Sequence, residues 1–434
     1  MKTLRFQNAL LPDGIRPVQL QVDDTGLITA VEDAADGPWD GWLALPGMVN
    51  AHSHCFQRVM TGFVEAAGGD RSFWGWRELM YRIAQNTTPR DQYVIARRAF
   101  REMLAAGYTT AAEFHYLHHN VDGSAGTEMA QAVIDAAADT GIRLRLLPVL
   151  YQRGGFGHPA TDMQRRFVHK TVDDYLQLVA RLGDAVAGIA PHSVRAVDPA
   201  VLPEVVAGAR EIVGDDMVIH MHVAEQMAEV EATGQATGFT PVALIAEHCA
   251  LNPLWSFVHA THVNEHDMRL MLDNGVNVVL CPLTEANLGD GVFPVKEFIH
   301  AGGRIAIGSD CNARIDVVEE LRLMEYAQRL VRQRRAVLAD QDGLGARLWA
   351  HTARAGAGVL ALNAGRIEVG CSADLAVLSE RPPLSGLAPM RAMDALVTGG
   401  DAANIAEVYV GGRLCAPDAE PDAQFVAVMQ RLCA

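Results

Sequence analysis

Short, mostly apolar runs alternate with amphipathic segments through the middle of this chain. Residues 43–50, 109–114, 144–150, 186–190, 217–223, 256–260, 276–280 and 304–307 form the first kind, as expected of strands buried on both faces. Between them, residues 91–106, 129–140, 172–182 and 317–332 repeat apolar side chains every three or four positions, the period of a helix with one buried face. Eight strand-plus-helix units over most of residues 46–364 predict an α/β fold, a (β/α)8 TIM-type barrel, better than an open doubly wound sheet. No G-x-G-x-x-G or G-x-x-x-x-G-K follows an early strand, which weighs against dinucleotide and P-loop sites.

The two ends read differently. Residues 1–45 hold short strands and turns, with turn chemistry at Pro12-Asp13-Gly14 and Asp24-Thr25-Gly26 and a strand at 27–31. Comparable β segments recur at 365–370, 373–378 and 408–412. Neither end can close a core alone, so residues 1–45 and 365–434 are expected to join into one small β-sandwich domain, with 46–364 as the barrel.

Half of the 434 residues are hydrophobic and 20% are charged, the composition of a soluble globular protein. A formal net charge of −16 argues against nucleic-acid and anionic-membrane partners, which need clustered Lys and Arg. The seven cysteines are scattered without a C-x-x-C, so neither a disulfide framework nor a thiolate zinc site is indicated. No signal-peptide pattern and no 18-residue apolar run occurs, and the expected location is cytoplasmic.

In such a barrel, chemistry collects at the C-terminal strand ends, and here those ends are rich in metal-type ligands. The first strand leads into His52 and His54, two apart and so on one face. The second gives Glu113, His115 and Tyr116; the fourth gives His192 and Arg195; the fifth gives His220, His222 and Glu225; the sixth gives His259 and His262; the eighth gives Asp310. Three imidazoles and a carboxylate would suit one Zn2+, or Fe2+ as the alternative, with an open position for water. Both His220 and His222 face the axis. His222 lies nearer the mouth and is preferred for the site, leaving His220 to an interior layer. Of His259 and His262, the first ends the apolar run and is preferred.

These residues resemble the amidohydrolase superfamily over nearly the whole chain, through Leu45-Pro46-Gly47-Met48 before His52-x-His54, His222-x-x-Glu225, His259, Gly308-Ser309-Asp310 and the closing Ala373-Asp374-Leu375. Within it the sequence is similar to the formimidoylglutamate deiminases of histidine breakdown, in residues 54–58, 73–82, 113–116, 192–195 and 284–291. The resemblance implies one Zn2+ per subunit on His52, His54, His222 and Asp310. It implies that Glu225 and Asp310 move protons, that His259 stabilises developing charge, and that Gln57, Arg77, Tyr116, His192 and Arg195 hold the substrate. Only Lys2, Lys170 and Lys296 occur, none at a barrel strand end, so a lysine-bridged pair of metals is not expected. Cys55 and Cys311-Asn312 depart from the family's pattern beside the ligands.

The expected reaction is hydrolysis of N-formimino-L-glutamate to N-formyl-L-glutamate and ammonia. A small molecule with two carboxylates matches two guanidinium forks, Arg77 and Arg195, although Arg77 could instead pair with neighbouring Glu78. The alternative is a mononuclear metal aminohydrolase acting on another amidine or a heterocyclic amine of the guanine or cytosine type. A barrel that had lost catalysis would have shed ligands, whereas all four candidates and Glu225 remain. A homodimer is compatible with this reading. Phe73-Trp74-Gly75-Trp76 reads as an aromatic cap, His118-His119 as an exposed loop pair, and the basic residues at 329–335 as a solvated helix face.

Overall fold

In the computed structural model, which describes residues 1–35, 37–63, 65, 73–341, 343–415 and 422–433, eight parallel strands form one sheet in chain order. They are Met48–Ser53, Tyr108–His115, Arg143–Leu150, Gly188–Pro191, Val218–Val223, Trp255–His259, Asn277–Leu280 and Ile305–Ile307. The expected barrel is the observed fold. Its seam closes where Ser53 bridges Asp310 and the amides of Ser309 and Asp310 both donate to the carbonyl of His52. Alternation along the fifth strand shows why both faces read apolar. Ile219, Met221 and Val223 pack outward with helix residues such as Val205 and Ile245, while Val218 faces inward with Val49, Val258 and Val279. His220 sits in that interior, hydrogen-bonded through Nε2 to the carbonyl of Val359 at 2.9 Å.

The first predicted run is two strands, not one. Gly41–Pro46 belongs to a separate seven-stranded mixed sheet, and only Met48–Ser53 enters the barrel. Gly47 marks the junction because a Cβ there would lie 2.4 Å from the side chain of Thr109 and 3.0 Å from the Asp374 backbone. The mixed sheet takes strands from both ends of the chain, ordered Arg413–Cys415, Ile405–Val410, Leu375–Leu378, Gly41–Pro46, Lys2–Leu11, Gly14–Val22, Ile28–Asp33. Three strand spacings, about 14 Å, separate Phe6 from Tyr409 along the sheet, yet their rings are 6.3 Å apart. The sheet therefore curls around its own cluster of Leu4, Phe6, Leu20, Leu375 and Val377, while Leu43, Leu45, Ala376 and Leu378 on the other face join the barrel's outer core.

Residues after 365 add helices to the β strands expected there. Residues 365–370 are a turn whose Ile367 enters the small core. Helix Pro389–Gly399 packs on helices Gly345–Gly358 and Val317–Arg332. Helix Ala423–Cys433 lies against the barrel helix Pro89–Ala105, where Arg431 pairs with Asp91 at 2.5 Å. No helix among the described residues is long and apolar enough to cross a membrane. The aromatic cap expected of Phe73 and Trp74 lies outside the described side chains.

Candidate active site

A β-bulge aims the first pair of histidines. From Asn50 to Ser53 the first strand uses three steps where the second uses two, Ala111 to Glu113, and the extra residue turns the strand end so that His52 and His54 both point into the barrel mouth. Their Nε2 atoms are 3.1 Å apart, and His222 Nε2 is 3.1 Å from that of His52. Asp310 Oδ1 completes the set at 3.4 Å from His52 and 3.2 Å from His54. Donors about 2.0–2.1 Å from one tetrahedral ion stand roughly 3.3 Å from each other, which is the spacing seen. The second ring nitrogens of His54 and His222 donate to the carbonyls of Phe114 and His192, at 3.0 and 3.2 Å, leaving the Nε2 lone pairs for a cation.

The protonation states agree with a cation site. Burial, then His192 and the neighbouring imidazoles, hold His222 well below its ordinary range, and burial lowers His52 to about 3. Burial would raise Asp310, but the imidazoles of His52 and His54 beside it hold it well below the usual carboxylate range. Three imidazoles and one carboxylate thus converge in a buried cluster.

Beside it, His259 is set among acids. Its Nδ1 bonds Glu285 Oε1 at 3.3 Å, while Nε2 stands 3.8 Å from both Glu225 Oε1 and Asp310 Oδ2, without a hydrogen-bond partner. Burial would lower its pKa, but Glu225, Glu285 and Asp310 together push it up to about 10. Burial also raises Glu225, with the nearby Asp310 adding to the shift. Backbone strain collects here too: Ala224, His259, Ala260, Asp310 and Asn312 all have φ between 45° and 66°, unusual for residues with a Cβ and frequent where structure serves a site.

One cavity joins these groups to the expected substrate side. His54, Gln57, Arg77, Tyr116, His192, Arg195, His222, Glu225, His259 and Asp310 all line it, with His52 beneath. The Gln57 amide donates to the Tyr116 hydroxyl at 2.6 Å, and the Arg77 guanidinium lies 5.5 Å from the ring centre of Tyr81. Trp76, expected only as part of an aromatic cap, also lines the cavity, as do Tyr81 and Tyr151, which had no role assigned from sequence. Glu285 and Asp290 fall in the family-like segment 284–291 but had no assigned role, and Glu229 was not singled out; burial raises Glu229 to about 7, and burial and then Glu225 raise Asp290 to about 9.

Other strand-end candidates serve elsewhere. Glu113 accepts the Cys55 amide at 2.8 Å, and the buried ring of His115 stands 5.3 Å from His118. His262 does not line the cavity; its amide donates to the carbonyl of Ala224. His118-His119 is not an exposed pair: His118 is buried, and the two rings bond the carbonyls of Val149 and Val168, both at 2.8 Å. Cys55 Sγ accepts from the Gln92 side-chain amide at 3.1 Å, and Asn312 donates to the Asp310 carbonyl at 2.9 Å, so of the departures from the family pattern Asn312 braces the backbone of a candidate ligand.

An eight-stranded barrel with three imidazoles and a carboxylate at its mouth defines a metal-dependent hydrolase class. The model of the amidohydrolase family matches residues 43–415, and the chain belongs to that family. It is 41% identical over 432 residues to a formimidoylglutamate deiminase of Pseudomonas aeruginosa, covering 95% of this chain and 94% of the relative. The crystal structure of an amidohydrolase from Brucella melitensis superposes with a TM-score of 0.91 at 34% identity, covering 100% of this chain and 99% of the other. An adenosine deaminase from Xanthomonas campestris, solved with bound zinc, shares the fold at a TM-score of 0.79 and 21% identity, covering 99% and 97%.

Proposed function

We propose that this chain hydrolyses N-formimino-L-glutamate to N-formyl-L-glutamate and ammonia, using one Zn2+ on His52, His54, His222 and Asp310. The observation that carries the reading is a single cavity with a cation cluster at one end and Arg77 and Arg195 in its wall. The Pseudomonas aeruginosa relative, named a formimidoylglutamate deiminase, supports the same substrate. The nitrogen-rich, borderline donor set favours zinc.

A divalent ion held there supplies Lewis acidity and a water whose pKa falls towards about 7. Asp310 accepts the proton of the attacking water. Its Oδ2, turned towards His259, faces the cavity side of the cluster. The water oxygen forms a bond to the formimino carbon, and Glu225, whose raised pKa suits a proton carrier, delivers the proton to the leaving nitrogen. The C–N bond then breaks and ammonia departs. His259 Nε2–H, free of other partners, donates to the charge that develops at the reacting centre. Arg77 and Arg195 bind the two carboxylates, with Gln57, Tyr116 and His192 fixing the chain between.

The test is ammonia release by protein of known zinc content from N-formimino-L-glutamate, with N-formimino-L-aspartate, guanine and cytosine in parallel. Release from the glutamate compound alone is expected. Release from a heterocycle, or silence of zinc-loaded protein on the glutamate compound, overturns the reading.

A further inference from the structure

The strand ends hold a second donor set that this chemistry leaves partly unused. A ring nitrogen of His259, the thiol of Cys281 and a carboxylate oxygen of Asp310 lie within 4.8 Å of one another, all buried. The two oxygens of Asp310 face different neighbours: Oδ1 stands 3.2 Å from His54 Nε2, and Oδ2 stands 3.8 Å from His259 Nε2. A carboxylate placed this way can bridge two cations. His259 Nε2 is 1% exposed as part of its residue and has no hydrogen-bond partner, and Glu225 Oε1 lies 3.8 Å from it as a further oxygen donor. Cys281, directly after the seventh strand, packs with the barrel-interior residues Val258 and Val279.

We propose that His259, Cys281 and Asp310 form a second, weaker site for a thiophilic divalent cation, Cd2+ or excess Zn2+, whose occupation inhibits the enzyme. The proposal rests on the reading above in placing the first ion on His52, His54, His222 and Asp310. The thiolate selects soft and borderline ions and excludes Mg2+. On binding, Cys281 releases its thiol proton and His259 the proton of its coordinating nitrogen, both to solvent. A His259 engaged in this way no longer donates to the substrate.

The experiment titrates zinc-loaded protein with Cd2+ and follows zinc and cadmium per chain after dialysis, the ultraviolet thiolate-to-cadmium band, and ammonia release. Wild type is expected to keep its zinc, add one cadmium, develop the band and lose activity in step, with no response to Mg2+. Cys281→Ala, and the closer-shaped Cys281→Ser, should keep zinc and basal turnover, show no band, and need at least about tenfold more Cd2+ for half-inhibition. Cys311→Ala should behave as wild type. Unchanged cadmium affinity in both Cys281 variants, or a wild type that keeps its zinc and neither binds a second ion nor develops the thiolate band, overturns the site. A wild type whose sole bound ion carries the thiolate band and is lost in Cys281→Ala keeps this site and removes the four-residue one.

Discussion

His259 can act as a donor because three carboxylates surround it: Glu285 at 3.3 Å on one nitrogen, and Glu225 and Asp310 at 3.8 Å on the other. Only one of those carboxylates is proposed to carry the proton to the leaving group. Glu225→Gln should therefore lower kcat by about 10²–10⁴-fold with metal content unchanged, checked by steady-state kinetics beside elemental analysis. At the substrate end, Arg195→Met and Arg77→Met should each weaken kcat/KM by about 10- to 150-fold, the equivalent of roughly 1.5–3 kcal/mol for a lost charged hydrogen bond. Undiminished kcat/KM in both variants would remove the carboxylate clamp. The histidines and Asp310 were legible because they end apolar runs at a known face of a barrel. Glu285, Glu229 and Asp290 were not, since they follow the strands on short helices and loops where an inward acid and a surface acid look alike.

Element by element, the strand and helix periods carried most of the barrel, because each strand is buried on both faces. What the periods could not show is where one strand ends and another begins within an unbroken apolar run, as at Gly47. Nor could they show the bulge that turns His52 and His54 inward, since an extra residue changes pairing without changing composition. The eighth strand presses on that bulge: a Cβ on Gly308 would lie 2.7–2.8 Å from the backbone and Cβ of His52. Gly308→Ala is accordingly expected to cost about 1–3 kcal/mol of stability and to lower metal retention, read from urea unfolding and from bound metal after dialysis. Helix Ala423–Cys433 was missed as a barrel element because its amphipathic pattern does not name the surface it covers.

Across the whole molecule, the small sheet and the barrel are joined by polar contacts at Asp374. Its carboxylate pairs with Arg143 and accepts the amide of Gly411 at 2.7 Å, and its carbonyl accepts that of Gly47 at 2.8 Å. Asp374→Ala should destabilise by about 1.5–3 kcal/mol, measured by denaturant unfolding, with substrate affinity unaffected. Removing metal with a chelator should lower the thermal midpoint and abolish ammonia release, both restored by zinc, because an ion on the proposed ligands His52, His54, His222 and Asp310 would tie the ends of the first, fifth and eighth strands together. The pairing of Leu43 with Leu378 also has a bearing on how the protein is made. A nascent chain emerging from the ribosome presents Gly41–Pro46 early, but its partner Leu375–Leu378 is translated only after the entire barrel. Until then the strand is paired on one edge only, with Lys2–Leu11, and a growing chain stalled short of residue 375 would offer the other, apolar edge to chaperones.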